Sequence, residues 1–436
     1  MKLNSSIIRI VGLIGDIDNK NANRFYANLK QHKYVQDCFP SDSDGSIDKV
    51  SEKFLKDYFY PDFREIMYLS KPDSINKRFV LNSNKTVSLL YKRRDFQKEY
   101  KVDVLKSEIY IFEGNLGLFS LSITKAEESS LTLEDISNLL SILRNFDTQT
   151  ADNLLWHEWI TSNILCGVKL RGDDVKSDEY SGSKFKLFTV LDIVDNENNR
   201  SDLIYDIATA SPLGSGSGKG SFSPDPEYHQ EMMKNRIGVF KNWEALCLFD
   251  SFTCIGEGQL TSQYNRWDYT YFRIYLYRLF FKFNIYRYNS EIQKSDEDAV
   301  KWRSRFESFL NTYHVSHISF NFLPNDIFKK TGESLDLENE LQNFRDRINN
   351  LSEAIKEEKQ AKTNKLLQAV TLLSGISSVG PVIDILTQVK LFLGWSTLVF
   401  YLVVSFILIL LGLGILFFIM PEKIKKVWKS MKSIMG

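Results

Sequence analysis

From Thr397 to Met420 the chain reads TLVFYLVVSFILILLGLGILFFIM, a stretch without charge in which only Thr397, Tyr401 and Ser405 carry hydroxyls. At roughly 1.5 Å of rise per helical residue, such a segment crosses the roughly 30 Å hydrocarbon core of a bilayer with some tilt to spare. A second, less apolar stretch, Leu366 to Phe392, lies just before it, broken by Gly380-Pro381 and carrying Asp384, Gln388 and Lys390. Only Leu393-Gly394-Trp395-Ser396 separates the two. This pattern predicts a two-helix transmembrane hairpin. Lys356, Lys359, Lys362 and Lys365 precede it, and Lys423, Lys425, Lys426, Lys429 and Lys432 follow it. Basic flanks favour the cytoplasmic side, so both termini are expected there. The N-terminal residues carry no signal-peptide cleavage pattern. The competing expectation is a first segment lying in the interface as an amphipathic helix.

Upstream, the chain reads as a mixed α+β region. Ile7–Ile14, Thr86–Tyr91, Ile109–Ile123, Phe185–Val194 and Ala245–Ile255 have strand character, with a hairpin expected at Gly114-Asn115. Leu131–Phe146 has helical spacing, with Thr132 and Glu134 near its start. Tyr269–Ile292 is aromatic and basic, free of Gly and Pro, and is most simply a helix. A second helix is expected over Asp296–Tyr313. Leu337, Leu341, Phe344, Ile348, Leu351 and Ile355 then step by four and three, the spacing of a helix–helix seam. Ser334 is placed to cap that helix, and no Gly or Pro intervenes between Ser334 and Gly375. The expected organisation is therefore a sensing domain over 1–258, a helical region and stalk over 259–363, and the hairpin with its basic tail over 364–436. Four widely spaced cysteines argue for thiols rather than a disulfide framework. Lys+Arg and Asp+Glu balance at 55 each, so no global charge points to a direct nucleic-acid partner.

Catalytic and metal signals do not assemble. The loop Ser211–Glu227 contains Gly218-Lys219, but a phosphate-binding loop needs a Gly where Leu213 stands and Ser or Thr where Gly220 stands. His157-Glu158 has Thr161 where a zinc helix needs its second histidine, and His314 and His317 have no third ligand nearby. No metal site is read, and the chain is expected not to be an enzyme. Around Arg273, Arg278, Lys282 and Arg287, the aromatic helix could stack bases and bind phosphates. The simpler expectation is a helix whose rings fill a core while its cations stay wet.

In the first membrane-like segment, Asn364, Thr371, Ser374, Ser378, Pro381, Asp384 and Gln388 recur at helical steps and form one polar stripe. An acidic side chain there predicts a water-filled pore lined by Asn364, Thr371, Ser374, Ser378, Asp384 and Gln388. The alternative is a polar packing face between helices.

With this order of parts, the chain resembles the CorA family of divalent-cation channels. That family joins an N-terminal cytoplasmic α/β domain to a long helix, two transmembrane segments and a basic tail. Its Gly-Met-Asn signature is represented here by Gly394-Trp395-Ser396, which keeps only the glycine. The soluble part is also larger than a typical magnesium channel's. In both departures the chain is similar to the CRISPR-associated CorA-like effectors of type III systems. The resemblance implies a homo-oligomer, pentameric in CorA, in the inner membrane of a bacterium. It also implies a nucleotide second messenger of the S-adenosylmethionine–AMP type as ligand, and antiviral disruption of the membrane as function. Arg171, Lys219, Arg273 and Arg278 are the candidate phosphate partners. A CorA-type magnesium transporter, with Mg as permeant or regulatory ion, and a membrane-anchored scaffold without conduction stand as alternatives.

Overall fold

Ile7, Ile8, Ile10, Val11, Leu13 and Ile14 are all buried, so the first strand is covered on both faces and must sit inside a layered structure. A computed structural model describes residues 2–14, 22–36, 49–68, 76–93, 96–112, 116–126, 132–166, 184–194, 200–218, 223–294, 299–394 and 396–419. The chain divides into two units, Met1–Arg347 and Ile348–Gly436.

The first unit is organised by one sheet, nine-stranded among the described residues. Its strands are β1 (Lys2–Ile14), β2 (Val35–Gln36), β3 (Lys77–Arg93), β4 (Phe96–Ile111), β5 (Gly117–Lys125), β6 (Lys186–Val194), β7 (Arg236–Phe240), β8 (Trp243–Cys247) and β9 (Ser251–Gly256). They lie in the order β2-β3-β4-β5-β1-β6-β9-β8-β7. All neighbours are antiparallel except β6 and β9, which pair in parallel. The expected strand over Ala245–Ile255 is thus two strands, β8 and β9, turning back through 248–250.

The helices are α1 (Ala22–Gln31), α2 (Lys49–Tyr58), α3 (Pro61–Met67), α4 (Leu133–Arg144), α5 (Trp156–Asn163), α6 (Arg200–Thr209), α7 (Pro226–Met233) and α8 (Gln259–Asn265). A π-helical turn, Arg266–Tyr271, leads into α9 (Phe272–Lys294), followed by α10 (Ala299–Tyr313), α11 (Phe322–Ser334), α12 (Leu337–Leu393) and α13 (Thr397–Ile419). Thr132 caps α4 as its sequence suggests, but the reciprocal partner is Asp135 rather than Glu134.

Alternation along β1 sends Ile8, Ile10 and Ile14 into a core shared with α4, α5 and α6, where Leu139, Leu140, Trp156 and Ile204 are buried. Gly12 lies in this strand because an added Cβ would sit 2.4 Å from the Phe119 ring. The opposite face carries Phe188, whose ring meets Phe272 and Tyr275 of α9 at 5.3 and 6.0 Å. Phe112 stacks on Phe280 with ring centres 3.9 Å apart. The aromatic run therefore fills a core, as the simpler expectation held. Its cations do not stay wet, however: Arg273, Arg278 and Lys282 are all buried. Burial of both strand faces forces this, because α9 has neighbours on every side.

On that second face lies a buried ionic network. Arg9 of β1 donates to Glu108 of β4 and, through Nε at 2.7 Å, to Asp268 of the π-helical turn. Arg78 of β3 donates to the same Glu108 carboxylate, and Lys106 stands 3.2 Å from it. Three strands and the helical layer are thereby tied at one point.

The second unit corrects the membrane expectation. Among the described residues, no helix is long and apolar enough to cross a membrane. Although α12 runs continuously for 57 residues, its apolar residues share it with Asp384 and Gln388, both exposed, and with Lys390. The transmembrane hairpin, and the multi-pass inner-membrane location drawn from it, are therefore withdrawn. Trp395 and the basic tail lie outside the described residues.

Two expectations for the stalk also change. Ser334 ends α11, its hydroxyl donating to Thr331 O, while Asp336 at φ +53° immediately precedes α12. Leu337, Leu341 and Phe344 are buried inside the first unit, Phe344 meeting Phe306 at 4.4 Å and Tyr288 at 6.2 Å. That part of the heptad seam is consumed within the chain. Leu351 is exposed.

Glu108 generates a test. Burial pushes its carboxyl upward, but the Arg78 and Arg9 guanidiniums outweigh this and hold it well below the usual carboxylate range. Its contribution to stability is therefore full above the unfolded carboxyl value of about 4.3 and lost as pH falls through the folded value. Glu108→Ala removes the carboxylate that both guanidiniums share and should lower the unfolding free energy by about 3–5 kcal/mol in chemical denaturation. A loss below about 1 kcal/mol would show that the network is incidental to the fold.

Candidate functional site

At the far edge of the sheet from β2, the β7–β8 hairpin and the start of α6 line an open cavity of about 580 Å³. The hairpin forms because Ile237 alternates inward between exposed Arg236 and Gly238, and the chain reverses through Lys241-Asn242. Edge position leaves Val239 and Phe240 exposed, whereas every residue of β8 is buried. The first turn of α6 contributes Arg200, Ser201 and Asp202 to the same wall.

Three cations, Arg200, Arg236 and Lys241, line the cavity beside two carboxylates, Asp202 and Glu244. Arg236 Nε lies 2.5 Å from Glu244 Oε2, a carboxylate that is itself only 4% exposed. Arg200 Nη1 donates to Lys241 O at 2.8 Å, which fixes the hairpin turn against the helix. The N-terminal end of α6 adds a partial positive charge to that wall. Phe240, 48% exposed, stands 5.7 Å from the Trp243 ring, which meets Trp267 edge-on at 5.3 Å. A half-exposed ring on a rigid aromatic base offers a stacking surface. Cations suit phosphate oxygens, and the carboxylates suit donors such as ribose hydroxyls.

The Gly/Ser loop beside this wall is used differently. Asp206 of α6 accepts from Gly214 N and Gly216 N, each at 2.7 Å, so those backbone donors hold the protein's own carboxylate. Burial pushes the Asp206 carboxyl upward, and the two glycine N–H groups offset only part of that. An added Cβ at Gly216 would sit 2.9 Å from Asp202 O, which explains the glycine.

The sequence-derived ligand residues do not converge here. Arg171 and Lys219 lie outside the described residues. Arg273 donates to Met67 O at 2.8 Å and lies over Tyr68 at 4.9 Å. Arg278 donates through Nε to Phe328 O at 3.0 Å and lies 3.3 Å over the Phe328 ring. Both act as braces between layers, and burial pulls Arg278 down to about 10. Of the stripe residues, Asn364, Thr371, Ser374, Asp384 and Gln388 are exposed on α12, and the side chain of Ser378 lies outside the described residues. Thr371 and Ser374 donate their hydroxyls to Leu367 O and Thr371 O of their own helix. Among the described residues, no group of three or more His, Cys, Asp or Glu could hold a metal ion. His157 Nδ1 lies 3.0 Å from Phe146 O, a structural contact.

Sequence reasoning missed Arg200, Arg236 and Lys241 because they are spread over two elements and meet only through the β7–β8 reversal. No protein-family model, curated protein or solved structure matches the chain.

The bracing role of Arg278 is separable from ligand binding. Arg278→Leu should lower stability by about 1–3 kcal/mol, through the lost charge-assisted hydrogen bond and ring contact. Thermal denaturation measures this, and any nucleotide affinity that calorimetry finds for the wild type should be unchanged in the folded variant.

Proposed function

We propose that this chain is a nucleotide-responsive, self-associating protein, in which the Arg200–Arg236–Lys241 cavity takes the ligand and α12 carries the response toward the C-terminal helices. The observation that carries this reading is the meeting of three cations, two carboxylates and a half-exposed aromatic ring around one cavity. Phosphate, sugar and base each find a matching surface there. The half-exposed ring beside the cations suits an adenine nucleotide, and the S-adenosylmethionine–AMP conjugate expected from the sequence is the first ligand to try, with a role in antiviral signalling. Binding rather than catalysis is the reading. The channel activity expected from the sequence is not carried forward, since it depended on the withdrawn hairpin.

Self-association rests on a separate observation. In the second unit, Leu366, Leu367, Val370, Ile385, Leu391, Phe392, Leu398, Leu402 and Phe406 are all exposed. Apolar surface of that extent on helices is normally covered, and copies of the same chain, presenting the same helices, provide the cover.

Isothermal titration of the full chain, kept in solution with mild detergent, should detect AMP and bind the S-adenosylmethionine–AMP conjugate more tightly. Arg236→Ala and Lys241→Ala should each weaken binding by roughly tenfold or more, the loss of one charge-assisted hydrogen bond. Equal affinity in both variants would move the ligand elsewhere, and no binding by any nucleotide would leave a scaffold. Native mass spectrometry of the same preparation should give an oligomer. A purely monomeric mass would remove the self-association reading.

A further inference from the structure

The cavity hairpin and the start of the long helix are bridged by a single element, α11. On one side, α11 packs against β7 and β8. Lys330 Nζ donates to Lys234 O at 3.2 Å, two residues before β7 begins, and Thr331 Oγ1 lies 3.6 Å from Cys247 Sγ at the end of β8. On another side it packs against α9, where Arg278 seats on Phe328 and an added Cβ at Gly332 would meet that guanidinium at 3.0 Å. Its C-terminal end runs into α12 through only Leu335 and Asp336, with Leu335 N donating to Thr331 O and Asp336 N to Glu333 O.

A second contact holds the junction itself. Lys282 of α9, 2% exposed, donates to Leu335 O at 2.6 Å and to Glu340 Oε1 at 3.0 Å. Tyr286 lies 3.4 Å from the same carboxylate oxygen. The turn between the helices is thus pinned to α9 by a buried ammonium, while α11 is attached to the hairpin. A displacement of the β7–β8 hairpin reaches α11 at Lys330, through Lys234 ahead of β7, and at Thr331, through Cys247 of β8, and reaches the first turns of α12 through two residues.

We propose that α11 is the coupling element between the cavity and α12, pivoting on the Lys282 contact to the Leu335 carbonyl and Glu340. The part of this concerning a nucleotide rests on the binding reading above; the mechanical coupling does not. A ligand that draws Arg236 toward its phosphate competes with the Arg236–Glu244 pair, shifts β7, and through α11 biases the register of Leu337, Leu341 and Phe344 in their core. The contact chain is continuous and each link is a named hydrogen bond or packing contact.

Hydrogen exchange of the full chain, read by mass spectrometry, tests the coupling first without ligand. Arg236→Ala takes the guanidinium from the buried Glu244 carboxylate and should speed exchange over Leu335–Phe344 by roughly threefold or more, relative to the Leu133–Arg144 peptide on the opposite face. In a Lys330→Ala, Thr331→Val background, that acceleration should fall to less than half. The same acceleration in both backgrounds, or none in either, overturns the proposal. A nucleotide arm then uses AMP. The uncoupled background should keep the wild-type AMP affinity by calorimetry and lose the AMP-dependent change over Leu335–Phe344. Retention of that change overturns the coupling, whereas failure of AMP to bind wild type overturns the binding reading alone and leaves the ligand-free arm to decide.

Discussion

The Glu108 carboxylate, held between Arg9 and Arg78, is the constraint on which the first unit depends. Arg9 sits on the central strand β1, Arg78 on β3 and Glu108 on β4, and Arg9 reaches on to Asp268 in the π-helical turn. Charges so deeply buried are tolerated only when paired and hydrogen-bonded. The pairing therefore dictates which register the strands and which rotation the following helix can adopt. The π-helical turn is the local price of that geometry, since a π-turn shifts the side-chain phase between α8 and α9 and so brings Asp268 to Arg9. From that anchor α9 runs across the sheet with Phe272, Tyr275 and Phe280 on its strands and Arg278 and Lys282 on its outer neighbours.

The cavity lies where that constraint is weakest. The centre of the sheet is covered on both faces, whereas β7 is an edge strand with one partner and mostly exposed residues. An edge hairpin can shift without breaking a central ladder, as the proposed ligand response requires. Charge is arranged accordingly. The network around Glu108 is sealed, while Arg236 of the cavity pair is 45% exposed and its Glu244 partner buried, so one member of the pair is open to exchange with solvent or ligand.

Local chemistry made several elements legible. The apolar run Ile7–Ile14, the Thr132 cap and the gap-free helical stretch after Ser334 each rest on interactions within a few residues, and each appears in the structure, whereas Gly114-Asn115 lie outside the described residues. Where the outcome depended on a distant partner, the reading diverged. The cations of Tyr269–Ile292 look like a wet face by residue type, but Arg273 and Arg278 meet carbonyls at Met67 and Phe328, far away in the chain. The heptad from Leu337 looks like a seam between copies, but its first positions meet Phe306 and Tyr288 of the same chain.

By itself the sequence determined that Ile7–Ile14 is a strand, that the Tyr269–Ile292 run is a helix and that a long helix runs on from Leu337. Those conclusions follow from hydrophobic period, turn residues and the absence of helix breakers, all of which act locally. Tertiary structure alone decided that Arg9, Arg78, Glu108 and Asp268 meet, and that Arg200, Arg236 and Lys241 share a cavity. It also decided that Arg273 and Arg278 are buried between layers and donate to the Met67 and Phe328 carbonyls. The physical reason is that a charge has no period: its role is set by the partner that desolvates and pairs with it, and those partners are brought together only when the sheet closes its order from β2 to β7.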